Sequence, residues 1–241
     1  MADKSVDIKA LLEAGAHFGH KTSHWHPAMK PYIHGRRGDN YVIDLTETVK
    51  ALETALKFIE ETVAGGQQIL LVSTKRQARD IVKATALKLN MPYVTERWLG
   101  GMLTNQNTTS ERIKHLVDLE NKMASGELAN KYNKLEVQRY QEEIDAMNIK
   151  FGGIKEMPKL PGVVFIVDVQ EDMNAVMEAR KLKIATVALV DTNVDPRLIT
   201  YPVPSNDDAI KTIQIMCDYV AGAVERGVAK RKAPVVEVKA V

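Results

Sequence analysis

Cysteine occurs once, at Cys217, so no internal disulfide can staple this chain, and a reducing compartment suits it. Aromatic residues are scarce, with Phe 4, Tyr 7 and Trp 2. No run approaches the ~20 apolar residues of a membrane-spanning helix, so no membrane partner is expected. The opening "MADKSVDIKALLEAG" is charged and has no long apolar stretch, so it does not read as a secretory leader. The first strand-to-helix loop, "VSTKRQA", has no glycine, although a cradled pyrophosphate needs bare backbone there. Acids are also missing from one window. Between Ala14 and Gly38 there is neither Asp nor Glu.

What remains is an ordinary globular composition: 241 residues, 45% hydrophobic, 27% charged, net charge +2. That length fits one large domain, or one domain with an appendage. A net charge so small says little about partners, but its distribution says more. The acid-free window holds Lys21, Lys30, Arg36 and Arg37, and also His17, His20, His24, His26 and His34, five of the chain's six histidines. Such local asymmetry is the footprint of a phosphate-facing surface, the plainer alternative being a solvated loop. His24 and His26 flank Trp25 in a proline-punctuated loop, where stacking on RNA fits better than metal ligation.

Short apolar runs alternate with amphipathic stretches. "QQILLVST" (67–74), "MPYVTE" (91–96), "GVVFIVDV" (162–169), "IATVALVDT" (184–192) and "LITYPVPS" (198–205) read as strands, the last at an edge because of its prolines. Helical patterns lie between and after them, from "KRQARDIVKATALKLN" to the long closing "NDDAIKTIQIMCDYVAGAVERGVAK". Repeated strand–helix–strand units predict an α/β fold: a doubly wound, five-stranded parallel sheet whose ligands approach its carboxyl edge. Upstream, "PYIHGRRGDNYVIDL" predicts a hairpin. Between 104 and 150 the alternation stops, and two apolar stripes (Ile113, Leu116, Leu119, Met123; Val137, Tyr140, Ile144, Met147) predict an inserted antiparallel coiled-coil hairpin, which either projects as a partner handle or packs back onto the sheet. The expected organisation is therefore 1–103 with 151–228 as the α/β domain, 104–150 as the hairpin, and 229–241 as a disordered basic tail.

Several constellations bear on chemistry. Ser73, Thr74, Lys75 and Arg76 sit where the first core strand meets its helix, and cations there oppose the helix dipole unless a partner brings negative charge. "RWLGGMLTN" (97–105) places Arg97 and Trp98 at the same edge, with Gly100 and Gly101 allowing close approach. Asn105, Gln106 and Asn107 add groups able to bond phosphate or ribose. Trp98 stacks on a base or lies in the core. The best enzyme lead is the histidine cluster: His20, with Asp191 and Asp207 from loops of the carboxyl edge, has the right atoms for a structural zinc or another divalent ion. Cys217 lies among Ile213, Met216 and Val220 and reads as core.

Taken together, "AGAHFGHKTSHWHPAMKPYI", "STKRQA", "RWLGGMLTN", "FGGIKEMPKLP", "VDTNVDP" and "PSNDDAI" resemble, in order, the successive signatures of the bacterial ribosomal protein S-two family, over roughly Ile8 to Gly227. The resemblance implies a flavodoxin-like α/β domain with a protruding coiled coil. It implies binding to small-subunit rRNA where head meets body on the solvent side, and help in recruiting ribosomal protein S-one beside neighbouring small-subunit proteins. It implies no catalytic site, no organic cofactor and no DNA partner, in a cytoplasmic, ribosome-associated protein. RNA contacts carry over onto the amino-terminal basic motif, "TKR" and "RWLGG". The tail departs from the pattern, being short and basic where many relatives end in longer acidic ones.

Overall fold

A computed structural model describes residues 6–157 and 159–232. Its main sheet holds β4 (Ile69–Val72), β5 (Tyr93–Val94), β6 (Val163–Ile166), β7 (Ala185–Val190) and β8 (Tyr201–Pro204), all parallel, in the order β5-β4-β6-β7-β8. This is the flavodoxin-like order, with the reversal between β4 and β6. β4 and β6 are buried along their whole length, as central strands covered on both faces must be. Alternate residues feed two cores. Ile69, Leu71, Val163 and Phe165 face α2 (Leu45–Ala64), α3 (Arg79–Leu89) and α8 (Ile210–Lys232), while Leu70, Val72, Val164 and Ile166 face α7 (Met173–Lys181) and the 98–103 segment. Cys217 belongs to the first core, and burial pushes its thiol up to about 12.

Both edges of the sheet are blunted. Pro202 and Pro204 remove ladder donors from β8, and β5 is two residues long. Beside β5 the chain returns so closely that a Cβ on Gly153 would collide with the Tyr93 carbonyl.

The expected hairpin is present as β2 (Ile33–Arg37) and β3 (Asn40–Ile43), and β1 (Phe18–Lys21) completes a three-stranded antiparallel sheet in the order β1-β3-β2. His20 therefore lies on a strand, since "FGHK" pairs with β3. A short helix, α1 (Ile8–Ala14), capped by the Asp7 side chain, precedes it.

Between the sheet's two halves lie α4 (Gln106–Ala124), α5 (Glu127–Lys131) and α6 (Lys134–Phe151). Leu116, Leu119 and Ile144 are buried there, with Met123, Tyr140 and Met147 packed around them, as the apolar stripes predict. A coiled coil is not confirmed. The polar contacts His115–Glu143 and Glu120–Asn148 flank this cluster. Ile113 turns to the second core, and Glu120 also takes the Lys155 ammonium at 2.5 Å.

At the carboxyl end α8 continues to Lys232, so residues 229–232, expected to be disordered, are helical. The rest of the basic tail, 233–241, lies outside the described residues.

Candidate functional site

The loops after β4, β6, β7 and β8 bring Lys75, Asp168, Asp191, Asp207 and Asp208 to the sheet's carboxyl edge, and β1 adds His20. Lys75 does not face outward as expected of a phosphate ligand. Its Nζ lies 2.9 Å from Asp168 Oδ2, 2.8 Å from Asp207 Oδ1 and 2.8 Å from Asp208 Oδ1, with its side chain 12% exposed. The aspartates come from loops far away in sequence, which is why the local pattern "TKR" gives no warning of them. Burial opposes the Lys75 charge, but these carboxylates more than offset it and hold the ammonium above its ordinary value.

His20 bridges the rest of the cluster. Its Nδ1 lies 3.1 Å from Asp191 Oδ2 and its Nε2 3.6 Å from Asp208 Oδ2. The hydrogen bond to Asp191 raises the imidazole to about 9 against the cost of burial. Asp207 is pushed up to about 7 by burial, then by the charges of Asp168 and Asp191. β1 reaches this edge because Gly19 lies flat on Thr192: a Cβ there would stand 2.6 Å from its methyl group, and the Thr192 hydroxyl accepts the His20 amide at 2.9 Å. One ligand atom from each of His20, Asp191 and Asp207 falls within 4.8 Å of the others. Aspartates outnumber cations here, so an anionic nucleotide is repelled where flavodoxin-like folds commonly bind one.

"RWLGGMLTN" also binds an anion, but an internal one. Trp98 is 7% exposed and packs in the second core, so it is not a stacking platform for RNA. Its indole Nε1 donates to Glu178 Oε1 at 3.0 Å, joined there by the Gly101 amide at 2.7 Å. The amides of Leu103 and Thr104, each at 3.0 Å, and the Thr104 hydroxyl at 3.1 Å donate to Oε2. Gly101 makes this possible with a φ of +86°, a left-handed conformation that aims its N–H at the carboxylate. Burial disfavours the Glu178 charge, yet the donors from Trp98, Thr104, Gly101 and Leu103 hold it below the usual carboxylate range. Glu178, from α7, is the functional residue that sequence reasoning missed. Arg97, Asn105 and Asn107 flank the buried stretch and stay exposed, as does Arg76 beside Lys75.

The amino-terminal sheet presents the remaining candidates outward. Lys21, Lys30, Arg36 and Arg37 are exposed. Arg36 is fixed at the hairpin tip, its Nε donating to the Gly38 carbonyl at 2.7 Å, with Asp39 at 3.5 Å. Trp25 is half-buried and lies 5.2 Å from the Tyr41 ring at 47°. His17, at the base of β1, tilts against Phe18 at 4.0 Å and is held below its ordinary value by burial and then by Arg37.

Comparison with known proteins supplies the context for this geometry. The family described as Ribosomal protein S2 matches residues 11–227. A "Small ribosomal subunit protein uS2" from a Roseiflexus species is 47% identical over 231 residues, covering 96% of this chain and 88% of that protein. The proteins of the same description from Rhodospirillum rubrum (45% over 228 residues, 95% and 87% covered) and Chloroflexus aggregans (46% over 227 residues, 94% and 95% covered) are similar to it over nearly their full length.

Proposed function

The chain belongs to the ribosomal protein S2 family, and from that premise we propose that it grips small-subunit rRNA through its amino-terminal sheet and helps to recruit ribosomal protein S-one. It is a structural constituent of the small ribosomal subunit, ribosome-associated in the cytoplasm, and not an enzyme. No described helix is long and apolar enough to cross a membrane.

The observation that carries the RNA reading is the group of exposed cations on β1, β2 and the segment between them, all from the acid-free window of the sequence. Lys21, Lys30, Arg36 and Arg37 neutralise phosphates, while Trp25 sets register against a base or ribose. Arg76, Arg97, Asn105 and Asn107 form a second group of exposed donors. Lys75 and Trp98 leave the RNA-contact set, because each is held by carboxylates of its own chain. Equilibrium binding of the full chain to naked small-subunit rRNA across a salt series tests this. Affinity should fall steeply with salt, and a flat dependence would refute it. Recruitment of S-one rests on family membership, and sedimentation of S-one with small subunits that contain or lack this chain tests it.

A second reading concerns His20, Asp191 and Asp207, whose convergent ligand atoms favour a structural zinc or other divalent ion. Metal analysis of the purified chain, wild type against His20→Ala, decides it: stoichiometric metal lost in the variant supports a site, and no metal in either removes it.

A further inference from the structure

A cleft of about 500 Å³ lies between α7 and the segment leading into α4, beside the Glu178 hub, and it is lined by Thr104, Asn174, Met177, Glu178, Arg180 and Lys181. α7 projects four of these residues to solvent, and Met177 is 51% exposed, a large apolar side chain standing among polar ones. Among the described residues, Arg180 and Lys181 enter no ion pair. Glu178 is the one acid in the lining, and its oxygens are turned to five donors from 98–104. What the cleft offers a visitor is therefore two cations, an amide, a thioether and the accepting oxygen of the Thr104 hydroxyl, whose proton is given to Glu178.

We infer that this cleft is a further RNA-binding surface, taking a ribose–phosphate strand with one unstacked base. The inference rests on the rRNA-binding reading above. Arg180 and Lys181 meet consecutive phosphates, Asn174 and Thr104 bond ribose hydroxyls, and Met177 lies under the flat face of the base. The dipole of α7 accounts for basic residues in its last turn. It does not account for an exposed methionine beside them, facing a cavity.

The glutamate gives the cleft its shape. By fixing the 98–104 segment it sets the opposite wall, and it leads into the exposed Asn105 and Asn107 at the start of α4. A strand that crosses the cleft thereby meets the second group of exposed donors.

The test uses the full chain, naked small-subunit rRNA and three preparations. Binding is measured across a salt series for wild type, R180A/K181A and R36A/R37A, with thermal melts to confirm folding. R180A/K181A should bind about tenfold more weakly at moderate salt, with a log–log salt slope shallower by about 1.4–1.8, at 0.7–0.9 per phosphate contact. In parallel, benzoylphenylalanine in place of Met177 is photo-crosslinked in assembled small subunits, and the crosslink should form to RNA. If R180A/K181A binds like wild type while R36A/R37A is weakened, the cleft inference falls and the rRNA-binding reading stands. If both variants bind like wild type, that reading falls as well. A crosslink to protein alone overturns the cleft as an RNA site.

Discussion

Two groups of cations in this molecule look alike in sequence and end in opposite places. Lys75, in "TKR", points inward onto Asp168, Asp207 and Asp208, and the "RWLGG" stretch folds its donors around Glu178. Arg36, Arg37 and Lys21 on a small antiparallel sheet, and Lys30 in the segment between β1 and β2, are exposed, in a window with no acid between Ala14 and Gly38. The lesson is electrostatic. A basic or donor-rich motif at a sheet edge is read out by whichever anion reaches it first, and a carboxylate from the same chain is always nearby. A window without acids removes only the local competitor: Arg36 still meets Asp39 just beyond its end, and His20 within it is held by Asp191 and Asp208.

The strongest way to break this contrast is at Lys75. Lys75→Ala leaves the buried Asp168 and Asp207 without their cation, which should destabilise the fold by about 3–5 kcal/mol and lower the melting temperature by ~10 °C. The salt slope of RNA binding should stay as it is in the folded fraction. A shallower slope with normal stability would instead return Lys75 to the RNA interface.

Asp172 sharpens the contrast from the other side, being a carboxylate that received no cation. Its Oδ2 accepts the Thr74 amide at 2.9 Å, its Oδ1 is buried without a partner, and burial raises it to about 6. A raised acid means that the folded state holds its proton more tightly than the unfolded chain. Ionisation therefore costs stability as pH climbs from about 4 through 6, and the cost is complete above that window. Asp172→Asn should thus be stabilising at pH 7.5, by about 2–3 kcal/mol from the 1.36 kcal/mol per pKa unit, with the difference shrinking to nothing near pH 4. Denaturant melts at the two pH values check it.

Glu178→Gln keeps the shape of the hub and replaces one acceptor oxygen with a donor. It should cost about 2 kcal/mol, since hydrogen bonds to a charged group contribute about 1.5–3 kcal/mol. Tryptophan fluorescence should shift to the red as Trp98 loosens, and an unshifted spectrum with unchanged stability would contradict the hub. The smallest effect belongs to the outward group: R36A/R37A should change stability by less than about 0.5 kcal/mol while lowering rRNA affinity about tenfold, near 1.4 kcal/mol.

The same contrast explains what could be read in advance. The parallel sheet was legible because β4, β6 and β7 are continuous apolar runs, and such runs mean burial on both faces whatever surrounds them. Most of the apolar stripes at 113–123 and 137–147 was legible for the same local reason, and what was not is Ile113, which packs in the second core. β1 escaped notice because "FGHK" is short and glycine-containing and gains strand character only by pairing with β3. At the site, exposure of Arg36 and Arg37 followed from their neighbours in sequence. The inward turns of Lys75 and Trp98 depended on partners far along the chain, |i−j| being 132 for Lys75 to Asp207 and 80 for Trp98 to Glu178.

The blunted ends of the main sheet bear on how copies of this chain meet. With proline carbonyl-only positions along β8 and almost no ladder left on β5, neither flank of that sheet offers a template onto which a second copy could be zipped.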